Sequence, residues 1–364
     1  MALKRRLSIS ILIPFCSELP NNPQPACSFT LAHWHRKSVQ GMYLHWHSPK
    51  GRMAKSAVLE ARTNTILPAI KKHPSNGKVH ANGNGNGNGK PHRTPVNRLN
   101  DLSAKEWVPE TVSVWIQRGL GQGHDHAQIE RQHPAPFSFQ DVARLIRFFS
   151  KTGELVLDPF VGVGSTLKAA ALEGRRGIGI ELNKKYVDLS RLRLKTELAD
   201  IESICRDQKV LQGDARRLIP RLEEQSVKLV VTSPPYWNIL HKEDHKARQE
   251  RIAHGLDTRY SSDDKDLGNI ETYPAFLTAL ADTLALTRKC IVDGGHLCVV
   301  VGDFRHGSRY FMFHADIAHE MEARGFTLKG IKVLYQRHKR VFPYGFPYSY
   351  VPNLHHQYIV ILSK

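Results

Sequence analysis

One segment of the chain, residues 153–181, constrains its fold more than any other. It opens with the apolar run Leu-Val-Leu at 155–157, which is typical of a buried parallel strand. A glycine-containing loop follows, and then the strong helix formers of 167–172. A second apolar run at 176–180 ends in the acidic Glu181. This order predicts a βαβ unit, and therefore an α/β fold with a mostly parallel twisted sheet and helices on both faces.

The loop of this unit has the properties of a nucleotide-binding turn. Gly162 and Gly164 permit a sharp turn and a close approach of a ligand to the backbone, and Ser165 or Thr166 can cap the following helix. In Rossmann-type sites, an acid placed like Glu181 hydrogen-bonds ribose hydroxyls. The third glycine of a dinucleotide loop and the Gly-Lys-Ser/Thr of a P-loop are both missing here. The alternative is a βα turn with a purely structural role.

A second motif follows the apolar run 229–231. Ser233-Pro234-Pro235-Tyr236 contains two successive prolines, which cannot donate to a strand ladder and therefore form a stiff corner. The Ser233 hydroxyl and the Pro234 carbonyl can accept the two N–H groups of an exocyclic base amine, which frees its lone pair for attack. The Tyr236 ring can stack on a base that has left the double helix. The alternative is a simple Pro-Pro turn.

Together, the two motifs resemble the S-adenosylmethionine-dependent methyltransferases that act on amino groups of DNA bases, the cytosine-N4/adenine-N6 family. The resemblance extends over about residues 97–364 and implies a Rossmann-like class I methyltransferase fold. In the so-called β group of this family the cofactor half comes last, whereas here it comes first, as in a circular permutation. Chain termini often lie close together in compact domains, so such a rearrangement costs the fold little.

The resemblance also implies roles for individual residues. Glu181 is expected on the ribose and Asp214 near the adenine, while the segment His133-Pro-Ala-Pro-Phe137 is expected to close over the cofactor. The residues expected to bind S-adenosylmethionine are Asp158, Pro159, Phe160, Gly162, Gly164, Ser165, Thr166, Glu181, Asp214 and Phe137. The residues expected to carry catalysis are Ser233, Pro234, Pro235 and Tyr236.

Within this family, Ser at the first position of the second motif is typical of cytosine-N4 enzymes. We therefore expect a site-specific methyltransferase that modifies cytosine N4 in double-stranded DNA after flipping the base. Adenine N6 in DNA, or a base amine in RNA, is the first alternative, and a non-catalytic DNA-binding relic is the second. No Pro-Cys motif is present, which argues against cytosine C5 methylation through a thiolate. The sequence leaves open a restriction endonuclease partner and the choice between monomer and homodimer.

Charge and composition divide the chain into two parts. Thirteen of the eighteen net positive charges lie in the first hundred residues, and 82–89 is a run of four Asn-Gly repeats. Such a stretch buries too little apolar surface to offset its ordering entropy. We therefore expect 1–95 to be a disordered basic extension with a linker, followed by a methyltransferase domain over 96–364. Its predicted parts are a cofactor half (130–215), a catalytic half (216–364) and a DNA-contact loop (238–268).

The remaining composition excludes several classes of protein. The stretch 7–15, which is apolar apart from Ser8 and Ser10, is too short to cross a bilayer. Five cysteines without a CxxC pair favour the reducing cytoplasm over a disulfide framework. Twenty histidines are scattered without an HExxH motif, so we expect no metal.

The downstream half repeats the alternation of helix and strand. Apolar spacing predicts helices at 273–286 and 310–324. Between them, a turn at 294–295 is expected to lead into a buried strand that ends at 303. A further strand is expected at 331–335.

Overall fold

A computed structural model describes residues 10–15, 28–38, 41–45, 96–118, 129–133, 137–198, 207–237, 252–253, 263 and 265–364. The chain divides into two compact units, Met1–Lys90 and Pro91–Lys364. Among the described residues, no helix combines the length and hydropathy that crossing a membrane requires.

The first unit contains a small antiparallel sheet in the order β1-β2-β3. Its strands are β1 (Ser10–Phe15), β2 (Ser28–Ser38) and β3 (Gly41–His45). This differs from the expectation of an extension without regular structure. The start of β2 alternates polar and apolar residues, a pattern typical of a strand. The Asn-Gly repeats lie outside the described residues.

The second unit is built on a sheet of eight strands, with a separate two-stranded hairpin. The sheet strands are β4 (Val114–Ile116), β5 (Leu155–Asp158), β6 (Arg176–Glu181), β7 (Gln208–Gln212), β8 (Val227–Thr232), β9 (Ile291–Val301), β12 (Thr327–Tyr335) and β13 (His356–Ser363). The hairpin pairs β10 (Phe304–His306) with β11 (Arg309–Phe311).

Eight α-helices accompany these strands in the described residues. They are α1 (Ala104–Glu110), α2 (Phe139–Phe149), α3 (Ser165–Leu172), α4 (Lys184–Glu197), α5 (Ala215–Leu218), α6 (Tyr273–Ala285), α7 (Thr287–Cys290) and α8 (Phe313–Ala323).

The strand order of the large sheet is β4-β12-β13-β9-β8-β5-β6-β7. From β5 the chain moves outward through β6 and β7, and then returns to place β8 on the other side of β5. All these neighbours are parallel, whereas β13 runs antiparallel to both β9 and β12. The predicted Rossmann-like sheet is therefore confirmed. Its switch point lies between β5 and β8, where open α/β sheets bind ligands beyond the carboxyl ends of the strands.

Two apolar cores cover the opposite faces of this sheet. One contains α6 and α8, with Phe276 and Phe313 fully buried in it. The other contains α2, with Leu145 and Ile146 fully buried. Alternate residues of β8 enter the two cores, so that this strand is apolar on both faces.

Two expectations for the downstream half are wrong in detail. The helix expected from 310 begins at Phe313, because Arg309–Phe311 is β11 and pairs with β10. Phe311 stacks on Phe304 there, with ring centroids 5.2 Å apart. Gly294 lies inside β9 with φ +72°, at an irregularity in the pairing with β8, rather than in a turn before the strand.

A buried ionic cluster joins α3, α4 and a short 3-10 turn, Glu130–Gln132. The fully buried Arg193 contacts Glu130 at 2.8 Å, Glu197 at 3.0 Å and the Ser165 hydroxyl at 2.9 Å. Glu197 also pairs with the fully buried Lys168 at 2.5 Å. Removing one partner of such a cluster leaves an uncompensated charge in the interior.

We expect Arg193→Met to lower the free energy of unfolding by about 3–5 kcal/mol, because Glu130 loses its buried cation and Glu197 loses one of two. Lys184→Met is the matched control. It removes an exposed pair with Asp188 and should cost at most about 0.5 kcal/mol. Urea unfolding followed by circular dichroism measures both. Equal, small losses for the two variants would show that the cluster contributes little to stability.

Candidate active site

A cavity of about 730 Å³, counted to its open mouth, lies at the switch point of the large sheet. Much of its wall comes from residues at or directly after the carboxyl ends of β5, β6, β7 and β8, which are neighbours in the sheet. Among the expected site residues, Pro159, Phe160, Glu181, Asp214, Ser233, Pro234 and Pro235 line it.

The tips of β5 and β8 are joined by the buried carboxylate of Asp158. It accepts hydrogen bonds from the Thr232 hydroxyl at 2.6 Å, the Thr166 hydroxyl at 2.5 Å and the Phe160 amide at 3.0 Å. Burial raises the pKa of Asp158 to about 6, although these hydrogen bonds act in the opposite direction. Asp158 is not among the described residues that line the cavity. It ties together the two strands from which Phe160 and Ser233 follow.

The glycine loop brings α4 close to the start of α3. Gly164 has φ +83°, and a Cβ atom there would lie 2.4 Å from the Ser190 hydroxyl. Gly162 has φ +52°, and a Cβ atom there would lie 3.1 Å from His133 Nε2. Both positions therefore favour glycine for conformation, and a Cβ atom at Gly164 would also require Ser190 to move. The hydroxyl of Ser165 bonds to Arg193, so this side chain serves the buried cluster.

Glu181 presents a half-buried carboxylate at the cavity wall. One oxygen accepts from the Gly162 amide at 3.0 Å, and the other accepts from the Asn183 amide at 2.8 Å. Burial raises the pKa of Glu181 to about 7, against the lowering effect of the two hydrogen bonds. Because each carboxylate oxygen has two lone pairs, Glu181 retains acceptor capacity toward a ligand.

Asp214 lines the same cavity, but its pKa is shifted in the opposite direction. It caps α5 by accepting from the Arg216 amide at 2.9 Å, and it pairs with the Arg216 guanidinium at 2.9 Å. Burial by itself would raise the pKa of Asp214, but the hydrogen bonds and charge of Arg216 outweigh it and hold the pKa below its usual value. The cavity thus contains one carboxyl that stays ionised and one that titrates near neutrality.

After the two prolines, the side chains of Tyr236 and Trp237 pack in the adjoining core. The Tyr236 hydroxyl accepts a hydrogen bond from Gln357 at 3.1 Å, and its ring meets Phe313 edge-on with centroids 6.1 Å apart. Burial raises the pKa of Tyr236. Trp237 is buried, and its indole donates to the Ile270 carbonyl at 2.9 Å. These contacts fix the chain directly after Pro235, while Tyr236 is not among the described residues that line the cavity.

Several lining residues were not among the expected site residues, notably His133, Tyr186, Asp266 and Leu267. His133 belongs to the segment expected to close over the cofactor, and its ring lies edge-on to Tyr186 at 4.8 Å. Phe137 of the same segment instead packs against the core beneath α2.

Asp266 and Leu267 stand at the end of the expected DNA-contact loop, whose other residues are mostly outside the described part of the chain. No motif spacing marked them, since they reach the cavity from a distant stretch of chain. Across the described ranges, no group of three or more His, Cys, Asp or Glu residues is arranged to hold a metal ion.

A sequence model for the family N6_N4_Mtase, described as DNA methylase, matches residues 32–192. This match includes the glycine loop and Glu181 and ends before Ser233. The chain is 31% identical over 139 residues to the orphan methyltransferase M.BamHII of Bacillus amyloliquefaciens, covering 37% of this chain and 49% of that protein. It is 36% identical over 107 residues to the type II methyltransferase M.BglI of Bacillus subtilis, covering 29% of each. The chain therefore spans half or less of the length of these relatives.

Among solved structures, the chain matches a protein of Thermus thermophilus assigned as a DNA modification methylase and solved with S-adenosyl-L-methionine. That match has 28% identity and a TM-score of 0.29, and it covers 42% of this chain and 53% of the other. The family match covers the glycine loop, the first of the two motifs at the switch point. Over these matched parts, the chain is similar to the amino-group DNA methyltransferases, the cytosine-N4/adenine-N6 family.

Proposed function

We propose that this chain transfers a methyl group from S-adenosylmethionine to cytosine N4 at specific sites in double-stranded DNA. The observation that carries the proposal is the composition of one cavity. Glu181 and Asp214 line it on the side of β6 and β7, and the Ser233-Pro234-Pro235 corner lines it on the side of β8. A methyl donor and a base amine held on these two sides would meet between neighbouring strand tips.

The residues on the first side fit the donor. Glu181 has acceptor capacity for ribose hydroxyls, and the ionised Asp214 can accept from the adenine amine. Apolar surface from Phe160, Ile180 and Leu267 can pack on the adenine ring. S-adenosylmethionine supplies a methyl group activated by its sulfonium.

The residues on the second side fit a planar amine. The Ser233 hydroxyl and the Pro234 carbonyl accept its two N–H bonds and turn its lone pair out of conjugation with the ring. The new N–C bond then forms as the S–C bond breaks, and the amine loses one proton to solvent. Most of the acceleration comes from holding nitrogen and methyl in line, which the rigid prolines and the Asp158–Thr232 bond favour.

The choice of cytosine N4 rests on the Ser at position 233. Adenine N6, or a base amine of RNA, is the alternative acceptor, since the same two hydrogen-bond acceptors suit any planar NH₂ group. A non-catalytic DNA-binding relic is a further alternative. The approach of Gly164 to Ser190 and the bonding of Glu181 to Gly162 favour a working cofactor site.

We expect DNA treated with the chain and S-adenosylmethionine to contain N4-methylcytosine by mass spectrometry of its nucleosides. Ser233→Ala should bind the cofactor as tightly as the parent and lose at least about tenfold in turnover, because one acceptor of the amine is gone. N6-methyladenine, or methylated tRNA alone, would assign a different acceptor. Absence of cofactor binding in calorimetry would support the relic.

The pH dependence of cofactor affinity tests the placement of the ribose. Hydroxyls that donate to Glu181 favour its ionised form, so binding lowers a pKa that is about 7 in the free protein. Affinity should be constant above that pH and weaken roughly tenfold per unit below it. Glu181→Gln should bind more weakly above pH 7 and show a flat profile in calorimetry. A parent whose profile is as flat as that of the variant would refute the assignment.

A further inference from the structure

The connection between β12 and β13 carries the most exposed aromatic residues of the described chain. We call residues 337–351 the aromatic loop. Phe346, Tyr348 and Tyr350 are 80%, 94% and 86% exposed. Aromatic side chains usually contribute to cores and interfaces, and a cluster of exposed ones marks a surface that binds something.

The aromatic loop is held in a defined conformation. Asn353 holds the two sides of the loop together. The Asn353 side chain accepts from the Phe342 amide and donates to the Phe342 carbonyl, both at 2.8 Å. At its tip, the amides of Tyr348 and Ser349 both donate to the Gly345 carbonyl at 2.7 Å. Hydrogen bonds therefore fix the backbone while the three rings remain outside any core.

The charged Lys, Arg, Asp and Glu side chains around this loop are all positive. Residues 323–364 contain seven Lys or Arg residues and no Asp or Glu. Three of them, Arg337, Lys339 and Arg340, are exposed and directly precede the aromatic residues. A surface that offers cations beside bare aromatic faces complements phosphates beside bases.

The aromatic loop also lies at the edge of the sheet that holds the active-site cavity. β12 is antiparallel to β13, which is antiparallel to β9, so β12 runs parallel to β9 and β8. Its carboxyl end therefore opens on the same edge as Ser233. At the start of β13, Gln357 donates to the Tyr236 hydroxyl, which links the base of the loop to the second motif.

We propose that the aromatic loop is a DNA-contact surface, in which Arg337, Lys339 and Arg340 hold phosphates. Phe346, Tyr348 and Tyr350 stack on bases that lose a neighbour when the target base leaves the helix. The inference rests on the proposed function, because it assigns the loop to the DNA that enters the same cleft. It gives the chain a surface for unpaired bases outside the cavity.

Two sets of substitutions in the full chain separate the two contributions. In the first, Phe346→Ser, Tyr348→Ser and Tyr350→Ser together should weaken binding to a labelled single strand about tenfold or more, because base stacking is lost. The loss should be smaller for the matching duplex. The control exchanges the rings (Phe346→Tyr, Tyr348→Phe, Tyr350→Phe) and should bind like the parent. In the second set, Arg337, Lys339 and Arg340 are all replaced by Gln. The line of log K against log salt should then become less steep by about 2 to 3, because three phosphate contacts are lost.

Fluorescence anisotropy measures the binding, and urea unfolding checks that these exposed substitutions leave the fold intact. Parent-like binding of both DNA forms by the serine variant would overturn the proposal. So would a serine variant that loses binding to anionic phosphatidylglycerol vesicles but keeps its affinity for DNA.

Methylation and cofactor binding are measured separately on the parent. A parent that binds no cofactor but shows loop-dependent DNA binding would defeat the proposed function alone. A methylating parent whose serine variant binds and methylates DNA normally would defeat the loop assignment alone.

Discussion

The active-site cleft depends on one buried carboxylate. Asp158 accepts from Thr166 at the start of α3 and from Thr232 at the end of β8, so a single side chain sets the spacing of the glycine loop and the Pro-Pro corner. Thr166 lies in α3 and Thr232 in β8, and the sheet ladders alone would fix only the strands. A group that is neither solvent-exposed nor directed into the cavity thus governs the geometry of both walls.

The cavity also shows how one environment gives two carboxyls different properties. Backbone amides donate to Glu181 and would lower its pKa. Burial and nearby acids outweigh them, so the pKa rises. Asp214 is close to Arg216, whose charge overcomes burial. The first can respond to a bound ligand by changing its protonation, whereas the second offers a fixed negative charge.

Local pattern was enough to predict the strands and helix around the glycine loop, because apolar runs, glycine and helix formers act within a few residues of each other. The mostly parallel sheet followed from the βαβ alternation, whereas the order of its strands was not predicted. Side-chain direction was harder to predict. Asp158 was expected at the cofactor, and its contact with Thr232 arises only when the sheet brings β8 beside β5. His133 and Phe137 belong to the same short segment, and the orientation of α2 decides which one reaches the cavity. Asp266 and Leu267 have no local signal, since tertiary folding alone delivers them.

The bond between Asp158 and Thr232 spans 74 residues of sequence. During synthesis, a nascent chain that has emerged only as far as the glycine loop can form β5 and α3, but Asp158 still lacks one of its donors. The cleft is therefore completed late, when the ribosome has released β8 and the strand has inserted into the sheet. A fragment that ends before this point would have the wall with Glu181 and Asp214 without the wall that faces it.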